Sequence, residues 1–95
     1  MVINKTEPFT KDEIDKQIIG ALAIDLKRVA MAKYNKSENV ANRFWQEVMN
    51  KKSDVSGIKL PNYLTNLYSY LENHKDKDSL LMYSVILQNY ARNKI

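Results

Sequence analysis

The 95-residue chain contains no cysteine, which removes disulfides, thiolate nucleophiles and cysteine-based zinc sites from consideration. Glycine and proline are almost as scarce, with two of each. A sheet protein of this length needs turn residues about every ten positions, so the scarcity points to a few long helices. Two isolated glycines cannot form a glycine-rich phosphate loop, and nucleotide chemistry of that kind is excluded. No apolar run approaches the roughly 20 residues of a membrane span. The opening residues, Met1-Val2-Ile3-Asn4-Lys5, have no apolar core of the kind that marks a secretion signal. The simplest reading is a cytoplasmic protein, and the many Lys, Asn, Ile and Tyr residues suggest an AT-rich bacterial genome.

What is present is ordinary for one globular domain. Hydrophobic residues make up 44% and charged residues 27%, and the length suffices for a single core. Fifteen basic and eleven acidic residues give a net charge of +4, a mild excess that helps solubility and slightly favours an anionic partner. There is no internal repeat, low-complexity tract or linker. Residues 1–95 therefore read as one helical domain, with 1–8 as an arm.

The first helix is expected over 11–34. Thr10 and Glu13 form the Thr-x-x-Glu capping box, and Phe9 before the cap can staple to Ile14. Asp12, Glu13 and Asp15 place negative charge at the positive end of the helix dipole; capping explains these carboxylates without a metal or acid site. On a 100° wheel Ile18, Ile19, Leu22, Leu26, Val29 and Ala30 share one core face. Ile24 and Met31 fall on a different face. Gly20 inside this helix costs about 1 kcal/mol relative to Ala, which a close helix crossing would explain.

Asn35 and Lys36 make a short break, Asn35 being the residue that tolerates the left-handed conformation. Ser37 is then expected to cap a second helix over 37–52, with Val40, Ala41, Phe44, Trp45 and Val48 as its core face. The helix frays from Met49 to Asp54, and Ser53–Lys59 is a polar connection broken at Gly57. Pro61 suits the first turn of a third helix, over 61–73, with Tyr63, Leu64, Leu67, Tyr68, Tyr70 and Leu71 on one side. A fourth helix, capped by Asp76 or Asp78, spans 78–92. Within it, Leu80–Ala91 is the most apolar stretch of the chain, nine of twelve residues, and is expected to be the helix on which the others pack. Its main stripe is Leu80, Tyr83, Ile86, Leu87, Tyr90 and Ala91, which leaves Leu81 and Val85 as a separate patch. The expected fold is an all-α, antiparallel bundle of about four helices, with the third and fourth forming a hairpin on the first two.

Catalytic constellations are missing. Hydrolytic and acid–base enzymes need a nucleophile with a base, or paired carboxylates in a cleft. The single His74 sits at an expected helix C-terminus beside Lys75, where an imidazolium complements the dipole. No catalytic, cofactor or metal residues are assigned. Two surfaces remain. Ile24, Met31, Leu81 and Val85 are apolar residues off the core stripes and mark a partner surface or a homodimer seam, with Met49 and Met82 as further adaptable side chains. Asn39, Asn42, Arg43, Gln46 and Asn50, with Lys51 and Lys52 at their end, form a polar face of the second helix that suits nucleic-acid contacts. Phosphate contacts supply much of such affinity, and this face is short of positive charge. The six tyrosines fall mostly on core stripes and read as core and rim rather than as base-stacking platforms.

In being small, basic, cysteine-free and helical, the chain resembles the bacteriocin immunity proteins of low-GC bacteria, a resemblance of composition and fold class. It implies a protein that blocks a toxin or its receptor. The functional expectation from the residues themselves is a non-enzymatic interaction or regulatory module, with nucleic-acid binding through the second helix and an immunity-type role as alternatives.

Overall fold

The first helix forms where its sequence asks for it. In the structure, a computed structural model describing residues 10–93, α1 spans Lys11–Tyr34. Both halves of the capping box are present: the Glu13 amide donates to Thr10 Oγ1 at 3.2 Å, and the Thr10 amide donates to Glu13 Oε1 at 2.9 Å. The arm 1–8, the Phe9 staple and the Asp12 side chain lie outside the described residues. Ile19, Leu22, Leu26, Val29 and Ala30 are buried, and Ile18 is packed against them. Ala23, Ala32 and Asp25 are buried as well, so α1 is covered on more than its apolar stripe. No close crossing accounts for Gly20: a Cβ built there meets no described atom within 4 Å.

The turn after α1 is a Schellman motif. The Ser37 amide donates to Ala32 O at 2.8 Å and the Lys36 amide to Lys33 O at 3.0 Å. The left-handed residue is Lys36, with φ 60°, and not Asn35. This correction follows from register, because the hydrogen bonds place the left-handed position one residue later than Asn35. Ser37 occupies the N-cap position of α2 (Glu38–Asn50) but its hydroxyl makes no capping bond. Its backbone already closes the α1 motif, and its ψ of 79° differs from the 164° of the capping Thr10.

The second helix is shorter than 37–52. It stops at Asn50, and after the capping Lys51 a separate turn of helix, α3 (Lys52–Ser56), follows. The stretch expected to be a polar connection, Ser53–Lys59, thus carries core: Val55 and Ile58 are buried. Ala41 and Val48 are the buried residues of α2; Phe44 and Trp45 are half-buried, and Val40 is exposed rather than in the core. The third helix is also shorter than 61–73. Pro61 is extended and precedes a single 3₁₀ turn, Asn62–Leu64, and α4 proper is Leu67–Asn73. Leu64, Leu67, Tyr68 and Leu71 keep helical spacing and are buried, but Tyr63 is 63% exposed. The tighter 3₁₀ turn advances side chains by about 120° per residue, so Tyr63 leaves the apolar side it would occupy in a continuous α-helix.

Asp76 is the cap of α5 (Lys77–Asn93), its carboxylate accepting from the Ser79 amide at 3.0 Å. That hydrogen bond, the largest of several causes, holds the Asp76 carboxyl below the usual range. Leu80 and Leu87 are fully buried, while Tyr83, Ile86, Tyr90 and Ala91 pack around the core. The helices form an all-α bundle, with no strand among the described residues. Its centre is α1 and not α5. The first helix packs most closely on α5 and next on α2, so the bundle is not one hairpin laid on another. The Tyr34 hydroxyl at the end of α1 donates to the Asp78 carboxylate at the start of α5. This bond, more than any other factor, raises the Tyr34 phenol above its ordinary pKa. No helix among the described residues is long and apolar enough to cross a membrane.

Candidate functional site

Three helices leave a groove between them on the side of α1 away from its apolar stripe. Ile24 and Met31 stand seven residues apart, hence on one face of α1, and line the groove together with Val40 and Phe44 from α2 and Ser84 and Gln88 from α5. Its volume is about 530 Å³. Ile24 is 50% exposed, Met31 45% and Val40 42%. These are large apolar groups left in water at one place, whereas single exposed apolar residues are common and need no explanation.

Of the residues assigned to a partner surface from sequence, Ile24 and Met31 are both in this groove. Val85 is 49% exposed but is not among the residues that line the groove. Leu81 is different: it is half-buried against the core. Met82 is exposed and Met49 half-buried, and neither lines the groove. Val40 was missed because its position on the α2 wheel groups it with the core. Phe44 was placed in the core as well, yet it is the α2 wall of the groove.

The groove is electrostatically one-sided. Lys27 and Arg28 line it, and no acidic residue does. The Arg28 guanidinium lies 5.3 Å from the centre of the Phe44 ring, a cation–π placement that holds it over the groove wall. It is also 3.9 Å from Asp25. Asp25, though, has a nearer partner: Lys51 Nζ is 2.6 Å from its Oδ2.

Asp25 is the structural residue that sequence reading overlooked. It sits on the α1 wheel beside Ile18, at the edge of the apolar stripe, and an acid in that position was the available signal. Its partner Lys51 lies at the joint between α2 and α3, too far along the chain for any local pattern to pair them. The ion pair fastens that joint to α1. Tyr68 adds a second tie, its buried hydroxyl donating to Val48 O at 2.8 Å. Burial, more than the nearby Asp25 and Asp54 charges, raises the Tyr68 phenol well above its ordinary pKa.

These bonds also bear on the polar face of α2. Asn39, Asn42, Arg43, Gln46 and Asn50 are exposed along it. The two lysines assigned to its end are engaged within the protein: Lys51 with Asp25, and Lys52 with Glu72 at 3.5 Å. The cation supply for phosphate contacts is thereby reduced further, leaving Arg43 as the positive charge on that face, with the exposed Glu47 carboxylate beside it.

No family model, curated protein or solved structure matches the chain.

A second hollow of about 510 Å³ lies between α3, the following loop and α4, with Val55, Ile58, Leu60 and Leu67 in its wall and the Lys52–Glu72 pair at its rim. His74 ends α4; its ring is stacked on Tyr70 with centroids 3.9 Å apart, and its Nδ1 lies 3.0 Å from Tyr70 O. This is the helix-end position expected from the sequence. Among the described residues, no three His, Asp or Glu side chains gather as a metal site would require.

Proposed function

We propose that this chain is a non-enzymatic interaction module that binds a partner protein along the groove between α1, α2 and α5. The observation that carries the reading is the convergence of Ile24, Met31 and Val40, each roughly half exposed, from two helices onto one cleft. Such a cleft resembles the hydrophobic grooves in which proteins seat a partner's side chains. Nucleic-acid binding through α2 is the weaker reading, because Lys51 and Lys52 are already paired. An immunity-type protein, which acts by binding a toxin or its receptor, would be one form of this proposal.

A photo-crosslinking residue placed at Met31 tests it in cells. The expected result is an adduct with one identifiable protein, competed by unlabelled chain and lost when Val40→Glu alters the opposite wall. Tyr63, exposed but outside the groove, is the control position. Equal crosslinking from Met31 and Tyr63, or adducts to nucleic acid from Asn42, would overturn the reading.

A further inference from the structure

We infer that the occupant of the groove is a helical segment of another protein whose apolar stripe is flanked by carboxylates. The inference rests on the interaction reading above and adds the chemistry of the partner.

Length and spacing indicate a helix. The α1 wall runs from Ala23 to the capping Asn35, about 18 Å at 1.5 Å per residue. That matches roughly three turns of a partner helix, whose anchors at i and i+7 have the spacing of Ile24 and Met31, with Val40 lining the same groove from α2. The charge indicates carboxylates. Two cations and no acid line the groove. Lys27 has no ion-pair partner among the described residues. Arg28 has a side chain 57% exposed and only a 3.9 Å approach to Asp25, a carboxylate already held at 2.6 Å by Lys51. The guanidinium is thus steered over the groove by Phe44 while its donors remain available to an incoming anion.

The same charges argue against a second copy as occupant. A two-fold dimer through this groove brings each patch against itself, setting Lys27 and Arg28 of one protomer beside those of its partner. Like-charge juxtaposition disfavours that arrangement.

The test uses the full chain and two synthetic probes, amphipathic helical peptides of about four turns with the same leucine stripe, flanked by glutamates in one and lysines in the other. Binding is followed by fluorescence anisotropy at about 50 mM and about 300 mM salt, and the site is mapped by amide chemical shifts. The expected outcome is that the glutamate peptide moves the Ile24, Lys27, Met31 and Val40 amides. It should bind at least about tenfold more tightly than the lysine peptide, with the margin shrinking in high salt. The Lys27→Glu/Arg28→Glu variant should reverse the preference. Lys27→Glu alone, on an exposed position away from Asp25, should narrow it if the double variant proves unstable.

If both peptides occupy the groove with equal affinity, the carboxylate inference fails while the groove stands as an interaction site. If neither moves the groove amides, both fail. Concentration-dependent shifts of the groove amides without peptide, accompanied by dimer in sedimentation, would assign the groove to a second copy and overturn the inference.

Discussion

Replacing Gly20 with alanine should stabilise the protein by about 1 kcal/mol. Gly20 lies in the interior of α1, far from both caps, where glycine is about 0.8–1.0 kcal/mol less favourable than alanine because it loses more backbone freedom on ordering. The usual reason to keep a glycine in such a place is close contact with another backbone. That reason is missing among the described residues, since an added Cβ has nothing within 4 Å. The open space also means that the new methyl gains little from packing, so the propensity difference stands nearly alone. For a domain of this size, about 1 kcal/mol raises Tm by roughly 4–8 °C. Thermal unfolding followed by helical circular dichroism reads the shift, and urea unfolding should show a higher midpoint with an unchanged slope. Gly57 provides a comparison: its φ of −85° needs no glycine and its added Cβ meets Asp54 O at an ordinary 3.6 Å. Gly57→Ala should therefore be neutral to mildly stabilising, by up to about 0.5 kcal/mol through the unfolded chain. A lower Tm for Gly20→Ala would refute the reasoning and show that another segment or a second molecule closes on α1 at that point.

Other perturbations test the ties around α1. Lys36→Gly should stabilise by roughly 1 kcal/mol, because Lys36 holds a left-handed φ of 60° that disfavours a side chain, whereas Lys36→Val should lower Tm. Lys51→Met strands the buried Asp25 carboxylate and should destabilise by about 3 kcal/mol, the low end for a broken buried pair, since the Lys51 side chain is 25% exposed. The Asp25→Leu/Lys51→Met double variant should recover much of that loss, and additive losses in a double-mutant cycle would show that the pair is not coupled. Tyr68 makes stability fall in alkali. Below pH about 10 its phenol is neutral in both states; above that the unfolded chain ionises while the folded protein, with its raised pKa, holds the proton, so unfolding is favoured progressively. Tyr68→Phe should remove this part of the alkaline limb and, by removing the hydroxyl's bond to a Val48 carbonyl that keeps the Lys51 amide as donor, lower stability near neutral pH by about 1 kcal/mol.

The sequence was most legible where the determining interactions are local. The Thr10–Glu13 box and the start and end of α1 follow from residues three or four apart, and the structure has them as read. Legibility fell where one residue decides between competing geometries. The Schellman bonds put Lys36 in the left-handed position although Asn35 has the better propensity, and a 3₁₀ turn after Pro61 delays α4 to Leu67. Centrality was misjudged because Leu80–Ala91 is mostly apolar and carries no charge, whereas the core residues of α1 are interleaved with Lys27, Arg28 and Asp25. Apolarity of a run measures composition; being central depends on how many neighbours a helix has. The groove was half legible. Ile24 and Met31 stand out against the α1 stripe, but Val40, Phe44 and the Asp25–Lys51 pair depend on how α2 sits against α1, which no spacing within either helix records.

The pairing of the first helix with the last has a consequence for how the protein comes into being. The helix that anchors the bundle is made before the helices that follow it, and the helix it packs on most closely is the last of those described. Until α5 has left the ribosome, the stripe of Leu22, Leu26 and Val29 lacks its main cover. Helix α1 can form early on its own caps, but the closing contact spans most of the chain and must overcome the corresponding loop entropy. At roughly 5–20 residues per second, the nascent protein spends several seconds with that apolar surface exposed, and truncations within α5 should yield aggregation rather than a smaller folded bundle.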